Sequence, residues 1–123
     1  MLLRTGTDLI EVSRVQNAIE KHGERFLNRV YTEREIEEAD HLMTSLAARW
    51  AAKEAVAKAF CTGIGEVRWK EIEILRGPNR EPNLHLHGNA RTLAEKEGLT
   101  MWSISLSHTE THALAMVVAV GNW

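Results

Sequence analysis

The stretch Arg49-Trp-Ala-Ala-Lys-Glu-Ala-Val-Ala-Lys-Ala-Phe60 carries an arginine, two lysines, a carboxylate and an indole, and runs on into Cys-Thr-Gly-Ile-Gly65. In a helix, Trp50, Glu54 and Lys58 stand four residues apart and share one stripe. An exposed Glu-to-Lys pair at this spacing is a common helix stabiliser, worth only about 0.2–0.5 kcal/mol. A carboxylate, an ammonium and an aromatic beside a glycine exit also suit a charged ligand, and the alanines let a ligand or another surface approach closely. A second carboxylate, Asp8, follows Gly6-Thr7 in an apolar neighbourhood. It is either a turn or helix-capping aspartate, or a metal ligand that meets Glu54 across a groove. One or two carboxylates, with the other positions filled by water and phosphate, is how Mg²⁺ is usually held.

Other residues offer weaker signals. Thr62-Gly63-Ile64-Gly65 either caps the helix before it or presents backbone N–H groups to a phosphate. It follows a helix, so it is neither a P-loop nor a dinucleotide fingerprint. Ser107-His108-Thr109 falls at a predicted hairpin tip, where a histidine can contact phosphate or handle a proton. There is no nucleophile elbow to support a serine hydrolase. His85 and His87 point to one face of a strand, as edge histidines or as a metal pair lacking a third ligand. Arg14, Lys21, Arg25 and Arg29 recur at helical spacing, giving a solvated basic face or a docking surface for an acidic helix. Glu33, Glu35, Glu37, Glu38 and Asp40 read as solvated helix surface.

The elements that must position these residues follow from pattern. Leu2 to Asp8 reads as a strand. Ser13 to Gln16 has the spacing of a capping box opening a helix to about His22, and Thr32 to Glu35 another to about His41. The alanine-rich helix covers roughly Thr44 to Phe60, with Gly63 and Gly65 supplying the freedom to leave it. Val67 to Leu75 and Leu84 to His87 read as strands around the breakers of 77–82. Asn89 to Glu97 reads as a helix stopped by Gly98. Trp102 to Ser107 alternates with period two, and His112 to Val120 is a final strand joined to it as an antiparallel hairpin. Helices early and strands late predict an α+β fold, with the long helix packed on an antiparallel sheet.

The 123 residues, 44% of them hydrophobic, predict one domain over 1–123 with a small core, a size often reinforced by oligomerisation. The net charge of −2 gives no case for nucleic acid or an anionic membrane surface. A single cysteine, Cys61, rules out an internal disulfide and fits a reducing compartment. No apolar run approaches the roughly 20 residues of a membrane helix, and the N-terminus lacks the layout of a signal peptide. A soluble, cytoplasmic protein is expected.

Three segments together resemble the holo-acyl-carrier-protein synthase family, the small 4′-phosphopantetheinyl transferases: Gly6-Thr7-Asp8-Leu-Ile-Glu-Val-Ser-Arg14, the long Arg49 to Gly65 stretch, and Ser105-Leu-Ser-His108-Thr109. The long middle motif is the most specific, and the three span nearly the whole chain in order. The resemblance implies Mg²⁺-dependent transfer of phosphopantetheine from coenzyme A to a serine of apo acyl carrier protein, in fatty acid biosynthesis, releasing adenosine 3′,5′-bisphosphate. It implies that Asp8 and Glu54 bind the metal with the coenzyme's pyrophosphate. Lys58 would neutralise phosphate charge and assist proton transfer. Arg49, Lys58, Gly63, Ile64, Gly65, Pro82, His108 and Thr109 would line the coenzyme site. Arg14, Lys21 and Arg25 would meet the acidic carrier protein, and the enzyme would be a homotrimer with sites between subunits. Three positions depart from the pattern. His41-Leu-Met-Thr-Ser45 stands where relatives often carry a basic cluster, Glu81 where a lysine often precedes the proline, and Cys61 where glycine is usual. Contact with the coenzyme's 3′-phosphate is then either weakened or made from elsewhere.

Overall fold

A computed structural model describes residues 1–62 and 64–122. Strand β1 (Leu2–Glu11) alternates strictly, turning Gly6 and Ile10 inward and Leu3, Thr5, Thr7 and Leu9 outward. It pairs antiparallel with β5 (His112–Gly121), and β5 with β4 (Leu99–His108), in the order β1-β5-β4. The apolar run expected as the last strand is therefore the central one. Its inward residues Ala113, Ala115, Val117 and Ala119 are buried.

The long helix α4 (Met43–Ala59) lies across that inner face. Alanines meet alanines: Ala51, Ala52, Ala55 and Ala59 of the helix are fully buried, as are Ala113, Ala115 and Ala119 of β5. Of the two occupants the small side chains could admit, another surface or a ligand, it is the sheet that they admit. Gly6 marks the closest approach, because a Cβ there would overlap the Ala55 carbonyl oxygen. This contact fixes β1 against α4 and so sets where Asp8 stands relative to Glu54.

The predicted single sheet is divided in two. β2 (Ile72–Arg76) and β3 (Pro82–Leu86) form a separate antiparallel ribbon, Ile72 opposite Leu86 and Arg76 opposite Pro82. The segment before β2 is not strand; Trp69–Glu71 is a 3₁₀ turn. Helix α5 (Gly88–Glu97) ends on Gly98 in the left-handed region, as its glycine stop implies.

Several expectations about the helices are corrected. Helix α1 (Val12–His22) starts at Val12 with no side-chain cap, so Ser13 makes no capping box; the Val12 N–H bonds the Thr111 carbonyl instead. The first helix stops at His22 as expected, at Gly23 (φ 57°), and an unforeseen helix, α2 (Glu24–Val30), carries Arg25 and Arg29 beyond it. The Thr32 box does form, with Thr32 Oγ1 accepting from Glu35 N–H and Glu35 Oε1 accepting from Thr32 N–H, and it opens α3 (Glu33–Ala39). The exit from α4 already begins at Cys61, ahead of Gly65; Gly63 lies outside the described residues. Cys61 N–H bonds the Lys58 carbonyl and Thr62 N–H the Ala57 carbonyl, with Cys61 at φ 64°. That is the Schellman pattern, whose left-handed position is usually glycine.

Two acids of the supposed solvated cluster are structural. Glu35 is fully buried, and its Oε1 accepts from Lys53 Nζ at 2.7 Å while its Oε2 accepts from Ile74 N–H at 2.9 Å. Glu38 accepts from Arg49 and from Arg76 N–H. These bonds tie the β2–β3 ribbon to α3 and α4.

Candidate active site

Asp8 stands on β1 with its side chain half-buried, and Glu54 stands one face of α4 away from the core pair. The two carboxylates are close enough to act on one another. Burial, first, and then the negative charge of Asp8 raise the Glu54 pKa, against the opposing pull of the Trp50 hydrogen bond, Lys58 and Arg14. The i, i+4 pair read from sequence is not made. Lys58 Nζ reaches instead to Asp8 Oδ1 at 3.2 Å and to the Thr7 carbonyl at 2.9 Å. Two acids from distant parts of the chain thus act on one another, with Lys58 bonded to Asp8. Like charges that interact in this way favour a cation. Among the described residues no group of three or more His, Cys, Asp or Glu gathers to hold a metal. The pair therefore suits a hard ion that takes its remaining ligands from water or phosphate.

The residues expected to line a coenzyme site fall in separate places. A cavity of about 280 Å³ is lined by Ser45, Arg49, Arg76, Arg80, Pro82 and His108, among others. Ile64 and Gly65 line a different cleft, beside Arg29, Arg68 and Trp69. Gly63 lies outside the described residues. Asp8, Glu54 and Lys58 line neither. Arg49 is buried and committed to the fold: Nε donates to the Ile74 carbonyl at 3.0 Å, and the other nitrogens to Ser45 and Glu38. Burial lowers its pKa while Glu38 and Glu35 draw it back up, and an arginine stays cationic regardless. Thr109 caps its own turn, its hydroxyl accepting from the N–H groups of Thr111 and His112. His108 is exposed at the end of β4.

Arg76 and Arg80 escaped the sequence reading. Both are exposed, both line the 280 Å³ cavity, and neither is ion-paired among the described residues. The available signal was two arginines flanking the turn Gly77-Pro-Asn79, which a tight hairpin returns to one place. Glu81, by contrast, folds its carboxylate into that turn to accept from Asn79 N–H.

The remaining candidates separate cleanly. Arg14 lies over the Trp50 ring, 5.8 Å from its centroid, while Lys21 and Arg25 are exposed on α1 and α2. His87 meets Glu73 at 3.0 Å, and Glu73 also accepts from Thr32 Oγ1 at 2.6 Å. Burial works to raise the Glu73 pKa, but these bonds outweigh it and hold it below the usual value. His85 is exposed on β3, and among the described residues no group of three or more His, Cys, Asp or Glu that could hold a metal forms around the two histidines.

The family model of the 4′-phosphopantetheinyl transferase superfamily, ACPS, matches residues 4–117. The chain belongs to that superfamily, on its holo-acyl-carrier-protein synthase branch. It is 46% identical to the holo-[acyl-carrier-protein] synthase of Herpetosiphon aurantiacus, across 98% of this chain and all of that one. It is 43% identical to the synthase of Gloeobacter violaceus, across 98% and 94% of the two chains. The fold is similar to the Helicobacter pylori synthase solved in complex with coenzyme A: TM-score 0.87, 28% identity, 94% of this chain and 99% of that one. It is also similar to the Bacillus anthracis synthase in complex with CoA (3′,5′-ADP): TM-score 0.79, 31% identity, 97% and 96% covered. The three motifs that resembled this family all fall within or beside the matched span.

Proposed function

We propose that this synthase-family enzyme transfers 4′-phosphopantetheine from coenzyme A to a serine of an apo acyl carrier protein, with Mg²⁺ held by Asp8 and Glu54, in fatty acid biosynthesis in the cytoplasm. What supports the reading is that the Asp8 charge acts on Glu54 while Lys58 bonds Asp8 at 3.2 Å. In the reaction the serine oxygen bonds the phosphorus of phosphopantetheine, the bond from that phosphorus to the bridging oxygen breaks, and 3′,5′-ADP leaves. Phosphoryl-type transfer is mainly positioning and charge stabilisation. A bound Mg²⁺ supplies Lewis-acid polarisation and a template for the pyrophosphate. Lys58, half-exposed and fixed by Asp8 and the Thr7 carbonyl, adds positive charge at the same edge and is a candidate to move the serine proton.

The adenosine end is assigned to the 280 Å³ cavity. Pro82 and Leu106 offer apolar surface for the base, with His108 alongside. Arg76 and Arg80 supply the charge for the 3′-phosphate that the missing basic cluster would otherwise give. Ile64, Gly65 and the metal-binding pair lie outside this cavity, so one chain does not assemble the whole site. A homotrimer with sites between subunits resolves this, and the outer sheet face supports it: Leu3, Leu9, Met101, Leu114 and Met116 are all exposed there. Arg14, Lys21 and Arg25 would face the acidic carrier protein. No helix of the described residues is long and apolar enough to cross a membrane.

The test is mass spectrometry of an apo acyl carrier protein incubated with the enzyme, coenzyme A and Mg²⁺. A mass gain of one phosphopantetheine group, lost when Mg²⁺ is chelated, is expected. No gain on any of several carrier proteins would refute the transferase reading and leave a coenzyme-binding module.

A further inference from the structure

We infer that Glu81 is a positioning residue for Arg80: its carboxylate closes the β2–β3 turn and keeps the turn arginines on the 280 Å³ cavity. It thereby sets how strongly the enzyme prefers coenzyme A over the form lacking the 3′-phosphate. The inference rests on the reading of Arg76 and Arg80 as the cations for that phosphate.

An acid beside two arginines would by charge alone weaken an anion site, and the structure turns that charge aside. Arg76 and Pro82 face one another where the ribbon begins, and both line the cavity with Arg80. Glu81 stands between Arg80 and Pro82 in the chain but does not line that cavity. It lines a separate cleft, with Asn83, His85, Thr100 and Ser103.

Residues 77–81 are held by bonds that run inward. Gly77 N–H donates to the Glu81 carbonyl at 2.8 Å, and Arg80 N–H donates to the Gly77 carbonyl at 2.9 Å. Another bond comes from a side chain: Glu81 Oε2 accepts from Asn79 N–H at 2.8 Å. It reaches back across Arg80, which sits at φ 65°. That left-handed conformation is uncommon for a residue with a side chain and persists where the surroundings hold it. The other carboxylate oxygen, Oε1, lies over Gly77, where a Cβ would overlap it. Without the carboxylate, Asn79 and Arg80 gain other turn conformations, and the Arg80 guanidinium spends part of its time away from the cavity.

The test compares binding of coenzyme A and of 3′-dephospho-coenzyme A by isothermal titration calorimetry with Mg²⁺ present. The proteins are the native chain, Glu81→Gln, Glu81→Ala and the double variant Arg76→Gln with Arg80→Gln. The two ligands differ only in the 3′-phosphate, so the ratio of their affinities does not move with general destabilisation. The native protein should prefer coenzyme A, and the double variant should lose most of that preference. Glu81→Ala should narrow it about two- to tenfold, the worth of one hydrogen bond. Glu81→Gln should keep it, because its amide oxygen still accepts from Asn79 N–H. If Glu81→Ala holds or widens the native ratio, Glu81 is only a negative charge near the phosphate and has no positioning role. If the double variant keeps the native ratio, or the native protein shows no preference, the 3′-phosphate does not bind at this turn, and the inference falls with that reading.

Discussion

Lys53 and Glu54 are neighbours in the chain and opposites in the fold. Lys53 is fully buried, and its ammonium donates to Glu35, to the Trp69 carbonyl and to the Ile72 carbonyl at 2.7, 3.0 and 2.6 Å. All three of its donors are used by the protein. Burial lowers its pKa, and Glu35 opposes that shift by both charge and hydrogen bonding. Glu54, a step of about 100° around the helix, is half-buried beside another carboxylate with no cation of its own. A charge whose partners all come from its own chain holds structure. A charge set against a like charge, at an edge open to solvent, stores repulsion that a ligand can relieve. The contrast separates a structural ion pair from a candidate site more sharply than residue type does, since both regions consist of acids and a lysine, and Lys53 and Glu54 are adjacent on α4.

The strongest way to break the contrast is to remove a carboxylate from the open pair. Asp8→Ala or Glu54→Ala should lower transfer about 10³-fold or more, the equivalent of several kcal/mol of lost charge stabilisation, with an unchanged circular dichroism spectrum. Ordinary turnover in either variant would remove the pair from the mechanism.

The closed pair should answer in the other currency. Lys53→Met leaves Glu35 buried without its ammonium, and urea unfolding should show a loss of about 3–5 kcal/mol. Adding Glu35→Leu should recover much of it, since a buried pair replaced by apolar groups is often neutral. A single-mutant loss under about 1 kcal/mol would mean that Lys53 reaches water and that the contrast with Glu54 is one of degree.

The pH dependence sharpens the comparison next. The Glu54 pKa is raised in the folded state above its ordinary 4.5. The folded state then binds that proton more tightly than the unfolded chain does. Its favourable contribution is complete below the unfolded pKa and is lost as pH rises through the folded one. Glu54→Gln should therefore melt higher than the native protein at pH 7, with the difference shrinking toward pH 4. Mg²⁺ with coenzyme A should raise the native melting temperature more than that of Glu54→Gln. An equal ligand shift in both proteins would count against Glu54 as a ligand.

The smallest effect concerns the end of α4. Cys61 occupies a left-handed position that costs a side chain about 1–2 kcal/mol, and glycine gives back about 0.5–1 kcal/mol in chain entropy. Cys61→Gly should stabilise by roughly 0.5–1 kcal/mol in urea unfolding. A loss instead would show that the contact of Arg4 Nη1 with Cys61 Sγ, at 3.3 Å, outweighs the backbone strain.

Much of the fold was legible because its signals are local. The Thr32–Glu35 box, the Gly98 stop and the alternation of β4 and β5 each depend on residues within a few positions of one another. What misled was also local: Ser13 has the spacing of a cap but its helix begins one residue earlier, and the short helix that follows the stop at His22 has no cap of its own to announce it. The solvated reading of Glu35 and Glu38 failed because burial depends on what packs against a helix, and β2 does so from about forty residues away. The Glu54–Lys58 spacing was right, but Lys58 had a better partner in Asp8, fifty residues distant.

The sequence by itself determined most of the elements, the family, and which residues were able to carry charge chemistry, because turn chemistry, periodicity and motif order are written along the chain. Only the tertiary structure decided which charges are spent on the fold and which stay available. That choice rests on desolvation and on partners brought from far along the chain: Glu35 and Ile72 to Lys53, Asp8 to Glu54, and residues of α4 and β4 to the cavity that Arg76 and Arg80 also line.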